Sequence, residues 1–235
     1  MRRSRSKIRL LAAAALAGVV CSACGKDNPS GGSAVQGLRE SPSPGVIDGS
    51  ISRAPSTGGD GSRAGIVVTV SGLGGQSSFT TSPLGAFSFP NGPVGDVTVT
   101  FARDGCRAAV PFADVTNNAH LTMIDVSFDC TSASPTRTQE TFQGVLRNRI
   151  TNRVAVLQAC AAVGPASRTR LVKTDTETLF EDADGRSIDF SELAPGDVIE
   201  SSGYRESVGS PSSIVAGSVQ RLAQGQIDAC AAAGE

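Results

Sequence analysis

Apolar and polar residues alternate along this chain with a period of two. From Ile66 the runs GIVVTVSGLGG, SSFTTSPLGAFSFPNGPVGDVTVTFARDGC and HLTMIDVSFDC carry the alternation in short spans, with turns at 72–75, 82–85 and 91–93. Successive side chains of a strand point to opposite faces, so each run makes a half-buried strand, with one face in a core and the other in solvent. A second series follows from Thr141: Ile150, Val154, Val156 and Leu157, then Leu171 and Val172, Leu179 and Phe180, Ile188 and Phe190, Val198 and Ile199, and finally Ile214, Val215 and Val219. Strands at that spacing, with turns between them, suit a small barrel. Helical stripes are scarce, and with nine Phe, one Tyr and no Trp the cores are lean in aromatic volume. The expected class is all-β, in two units separated by the polar stretch 131–135.

The first residues have a different character. MRRSRSKIR is basic, the apolar run 10–20 follows, and the small residues Ser22 and Ala23 stand directly before Cys24 and Gly25. The run is too short to cross a bilayer, which takes about 20 apolar residues in a helix, and fits the apolar region of a signal peptide over 1–23. The junction resembles the lipobox of bacterial lipoproteins. In that family a peptidase cuts before the cysteine, whose sulfur receives a diacylglycerol. The resemblance implies acylation of Cys24 with chains such as palmitate, a lipid anchor in a membrane, and a place in the cell envelope facing the periplasm or the exterior. Ordinary secretory cleavage after Ala23 stays open as the alternative. The C-x-x-C spacing of Cys21 and Cys24 is neither a redox pair nor half a zinc site, because Cys21 lies in the export signal and no second C-x-x-C follows.

Loss of the signal changes the charge. Of 21 basic residues five (Arg2, Arg3, Arg5, Lys7, Arg9) leave with it, so 16 remain against 22 acidic ones, a net charge of −6. Such a chain repels phosphate backbones, and nucleic acid is excluded as a partner. Residues 24–64, with NPSGGSAVQG, SPSPG and STGGDGSRAG, are rich in Gly, Ser and Pro. They bury too little to offset the entropy of ordering and read as a disordered, lipidated linker; Val46 to Ile51 could alternatively supply a first strand.

Two further resemblances follow from the strands. Thr81, Gly85, Phe87, Phe89, Pro93, Gly95 and Val99 occupy the motif positions of the carboxypeptidase regulatory-like domain, a transthyretin-like β-sandwich, with Val97 where that family has Tyr. The resemblance covers 65–132 and implies a spacer or binding module without catalytic residues. Over 139–225, Thr178, Phe180, Asp182, Phe190, Leu193, Gly196, Asp197, Ile199, Glu200, Gly203, Ala216 and Val219 match the pattern of the bacterial domain of unknown function 5666, which reads as an OB-like barrel; Ser201 stands where that family has Val. Within this stretch Ser191 is expected to cap a single turn at 192–194, Leu193 to plug one end of the barrel, and 195–197 to turn into the next strand. Residues 226–235 form a C-terminal tail.

An even number of cysteines in an exported chain usually pairs, and Cys106 with Cys130 and Cys160 with Cys230 is the expected connectivity. The single histidine, His120, starts a strand and reads as a surface residue; a Ser-His-Asp triad or a multi-histidine metal site would have to use it. Asp182-Ala183-Asp184-Gly185 looks like a calcium loop, but alignment on Gly185 puts Phe180 first and Ser191 twelfth, where oxygen ligands are required, so it reads as an Asp-Gly turn. No G-x-S-x-G or H-E-x-x-H occurs. The expectation is therefore a non-enzyme with no catalytic residues, no metal and no cofactor: a lipid-anchored envelope module that binds another envelope component. The alternative is a small ligand or oligosaccharide held on the barrel face by Arg147, Arg149, Arg168, Arg170 and Tyr204.

Overall fold

In the computed structural model, residues 44–55, 62–151, 153–159, 169–206 and 213–223 are described. Among them the chain is all-β, with strands β1 (Gly45–Arg53), β2 (Val67–Leu73), β3 (Gly75–Thr80), β4 (Ala86–Gly92), β5 (Val94–Arg103), β6 (Cys106–Val115), β7 (His120–Phe128), β8 (Ala133–Ser134), β9 (Arg137–Thr151), β10 (Val154–Ala159), β11 (Thr169–Lys173), β12 (Leu179–Glu181), β13 (Val198–Arg205) and β14 (Ser213–Arg221), and one 3-10 turn at Phe190–Glu192. The signal peptide, Cys24, Arg168, Cys160, Cys230 and the C-terminal tail lie outside the described residues.

The first half is a sandwich. A four-stranded sheet in the order β3-β2-β5-β6 faces β4, β1 and β7 of a larger sheet. The alternation read from the sequence fills the space between them: Val68 and Val70 from β2, Val97, Val99 and Phe101 from β5, and Leu121 and Met123 from β7 are all buried. Aromatic rings link the layers, Phe87 to Phe101 at 5.8 Å and Phe101 to Phe128 at 6.0 Å between centroids. The Cys106–Cys130 disulfide joins β6 to the end of β7 across a Cα separation of 4.4 Å. Closing a loop of 24 residues contributes about 3 kcal/mol on the chain-entropy account.

The linker expectation is corrected over Gly45–Arg53. This segment is an interior strand of the larger sheet, next to its edge strand: it runs antiparallel to β4 on one side and parallel to β7 on the other. Ile47 and Ile51 are fully buried there, so the few apolar residues of the segment sit where the core needs them. Gly49 lies opposite both Met123 and Phe87; a Cβ at this position would stand 2.5 Å from the Met123 carbonyl oxygen and 2.7 Å from Phe87 Cζ. The absent side chain lets the Phe87 ring close over the strand.

The second half is a ring of five strands. β9 pairs with β10, β10 with β11, β11 in parallel with β14, β14 with β13, and β13 again with β9. The seam between β11 and β14 holds only three register pairs, so the ring stays partly open there rather than becoming a fully closed barrel. Leu193, Val172, Ile199, Ile214, Ala216 and Val219 are buried in its core. The one-turn cap is made by Asp189 and not by Ser191: the Asp189 N–H donates to Glu192 Oε1 at 2.8 Å, and Ser191 is exposed. In the 182–185 turn Asp182 Oδ1 accepts the N–H groups of Asp184 and Arg186, both at 2.9 Å, so this carboxylate is spent on the turn's own backbone. The Arg186 N–H foremost holds Asp182 below the usual carboxylate range.

The two halves share a strand. Arg137 to Thr141 of β9 pair with β7, while 144–151 pair on the same edge with β10 and 139–145 pair on the other edge with β13. The polar stretch before β9 is itself ordered. Asp129 Oδ1 accepts from the Thr131 N–H at 2.7 Å, the Thr131 hydroxyl at 2.8 Å and the Ser132 N–H at 2.6 Å. These donors, the Thr131 N–H first, bring the Asp129 carboxyl down to about 2. The folded state favours the charged form, so the bend is fully held above the ordinary carboxylate range near pH 4 and is released as pH falls through about 2.

Gly49→Ala is expected to destabilise the fold by about 1–3 kcal/mol through overpacking, read as a lower urea midpoint. Gly217→Ala, whose added Cβ meets nothing closer than the Ser202 carbonyl at 3.9 Å, leaves the midpoint within about 0.5 kcal/mol of wild type.

Candidate functional site

Of the five residues expected on one ligand face, Arg168 lies outside the described residues and the other four do not meet on one face. Arg170 is fully buried and points into the ring. Arg147 is exposed on β9, and Tyr204 is 45 % exposed on β13 with the Arg137 guanidinium 5.0 Å from its ring centroid. Arg149 alone lines a cleft. The sequence could not place Arg170 because its neighbours on β11, Thr169 and Leu171, alternate with it, and period two does not say which face is the core.

What Arg170 joins instead is a buried charge cluster. Its Nη2 donates to Glu140 Oε2 at 2.5 Å, and Arg205 Nη1 donates to the same oxygen at 3.2 Å. Both arginines continue to β6: Arg170 Nη1 donates to the Asp114 carbonyl at 2.7 Å, and Arg205 Nη2 to the Ala113 carbonyl. Those carbonyls are available because β6 bulges between the Gly95–Val115 and Val97–Phe112 pairs, with Asp114 at φ 61°. Phe142 and Phe112 lie under the two guanidinium groups, at 4.6 and 5.7 Å from ring centroid to Cζ. Burial pushes Arg205 below its usual range, and the Glu140 carboxylate beside it opposes the shift. Glu140 and Arg205 escaped the sequence reading, although a signal existed: Glu140, Phe142, Gly144 and Leu146 are one face of β9, so an inward carboxylate follows once Phe142 is placed in the core.

The histidine stands where expected, at the start of β7 and half exposed. Its Nε2 lies 2.8 Å from Asp48 Oδ2 and 3.4 Å from Thr122 Oγ1. Both contacts use the same ring nitrogen, so the group lacks the relay geometry of a nucleophile-base-acid triad. Among the described residues no group of three or more His, Cys, Asp or Glu could hold a metal ion, and no helix is long and apolar enough to cross a membrane.

The cleft lies at the far end of β9, between Arg149, Ile150 and Thr151 and the 3-10 turn residues Asp189, Phe190 and Ser191; it is a shallow depression open to solvent, with a volume of about 460 Å³. Arg149 Nη1 donates to the Phe190 and Ser191 carbonyls at 3.3 and 3.0 Å, with its Cζ 5.8 Å from the Phe190 ring centroid. Phe180 backs Phe190 at 5.6 Å. An aromatic ring, a guanidinium, a carboxylate and two hydroxyl residues thus converge on an opening of ligand size.

No family model matches the chain, and no curated protein matches it. Among solved structures, a "putative carbohydrate binding protein" of Bacteroides uniformis ATCC 8492 aligns over 71% of this chain and 91% of its own, with 10% identity and a TM-score of 0.24. A likeness of that size carries no argument about fold or ligand.

Removing the shared carboxylate leaves two guanidinium groups facing each other out of water. Glu140→Ala is expected to lower unfolding free energy by about 3–5 kcal/mol, measured by chemical denaturation. Glu140→Gln, which keeps an acceptor for one arginine, is expected to lose less.

Proposed function

We propose that this chain is a non-enzymatic binding module of the cell envelope, held at a membrane through an acylated Cys24, and that the cleft at Arg149 takes a small polar ligand such as a sugar unit of an envelope glycan. The observation that carries the reading is the cleft itself. Phe190, backed by Phe180, supplies an apolar surface for a sugar ring. Arg149, Thr151, Asp189 and Ser191 supply donors and acceptors around its rim. The carboxylate-rich charge of the mature chain fits a neutral sugar better than a phosphate-bearing ligand. The N-terminal pattern before Cys24 supports the anchor.

Two measurements test the two parts. The intact mass of the mature protein is expected to carry a diacylglycerol on Cys24, and Cys24→Ser is expected to move the protein from the detergent phase to the aqueous phase; an unmodified Cys24 in the wild type removes the anchor. Binding to an array of neutral and acidic oligosaccharides is expected for the wild type and to weaken about tenfold in Arg149→Ala, the equivalent of one charged hydrogen bond. Equal binding by both proteins, or none by either, removes the cleft as the site.

A further inference from the structure

The two layers of the sandwich end side by side in β3 and β4, the outer strands of the two sheets, with the Phe79 ring 6.3 Å from Phe89 across the gap. Outer strands present unpaired N–H and C=O groups, and natural proteins blunt them with charge, proline or a bulge. β6, the opposite edge of the four-stranded sheet, carries Arg107, Pro111 and a bulge. β4 carries Pro90 and a register irregularity against β1. β3, Gly-Gln-Ser-Ser-Phe-Thr, has none of these devices: its pairing with β2 is in continuous register and all six of its residues are exposed.

The neutrality extends beyond β3. Residues 64–95 contain no Asp, Glu, Lys, Arg or His, in a chain of which 18% is Asp, Glu, Lys or Arg. Phe79 at 40%, Leu73 at 47% and Leu84 at 78% exposure fall within this span. A foreign partner can answer a charge with its opposite. In a second copy paired about a two-fold axis, a charge meets its like unless an opposite charge stands symmetrically across the axis; β3 carries no charge of either sign, so self-pairing meets no such repulsion.

We infer that β3 is a self-association edge: two copies of this chain pair their β3 strands antiparallel about a two-fold axis near Ser77 and Ser78, joining two four-stranded sheets into one of eight. Every register of that pairing within β3 sets uncharged residues opposite one another. The main-chain bonds of the new ladder supply the affinity, as in other strand-addition contacts, and β6 is left as the outer edge at each end.

Sedimentation velocity of the full chain in a non-ionic detergent, over a wide concentration range, tests this. A reversible dimer is expected. Ser78→Lys places like charges across the axis and is expected to weaken the dimer about tenfold or more, and Gln76→Lys is expected to act in the same direction. Ala109→Lys, on exposed β6, is expected to leave the dimer unchanged; thermal melts matched to wild type establish that each variant is folded. A wild type that stays monomeric overturns the inference, as does an Ala109→Lys that weakens the dimer as much as Ser78→Lys. A monomer whose β3 amides gain exchange protection only when membrane extract is added overturns it in favour of a different protein on this edge.

Discussion

One oxygen of one carboxylate, Glu140 Oε2, accepts from two arginines that both end on carbonyls of another sheet. Taking three charges out of water costs several kcal/mol per ion, and their attraction offsets that only when geometry is good and the remaining donors are satisfied. The bulge in β6 meets that need in part, since Arg170 Nε and Glu140 Oε1 stay buried without a hydrogen-bond partner among the described residues. By turning the Ala113 and Asp114 carbonyls out of the ladder it gives each guanidinium a second acceptor, and Phe112 and Phe142 give each an aromatic face. The cluster therefore fixes where the ring sits against the sandwich, by directional bonds that an apolar contact of equal size would lack.

The shared strand makes that position matter. β9 leaves the sheet of the sandwich and enters the ring without a break, with β13 along one edge throughout its middle and β7 giving way to β10 along the other. Glu140 lies in the segment paired to both β7 and β13, so the charge cluster sits at the crossing. A slip of β9 there would take the Glu140 carboxylate away from both guanidinium groups at once. The cleft at Arg149 is built near the other end of the same strand, and its shape is set by how β9 meets the 3-10 turn.

Much of this fold was legible from period two alone. Strands β2, β3, β4, β5 and β7, the turn at 82–85, the Cys106–Cys130 pair and the inward place of Leu193 follow from local chemistry, because each depends on residues close in sequence or on one simple alternation; the turn expected at 91–93 is not one, since Asn91 and Gly92 continue β4 and Pro93 alone separates it from β5. β1 was harder: nine residues with two isoleucines among Gly, Ser and Asp carry little hydrophobic signal, and what orders them is two neighbouring strands that lie far along the chain. Arg170 failed for a related reason. A charged residue on a short strand is read as outward unless its partner is known, and Glu140 lies thirty residues away by sequence. The cap misjudged at Ser191 was a matter of one turn, since Asp189 and Glu192 satisfy each other's end of the backbone.

The placement of β1 also decides how the molecule bears load. A pull applied along the axis of β1 meets a strand held on one edge by β4 and on the other by β7. Its ladder bonds lie across that axis, so tension strains them together in shear and does not open them one after another from an end. Ile47 and Ile51 must be drawn out of the core in the same movement. The first strand among the described residues is thus one in which two ladders share such a load.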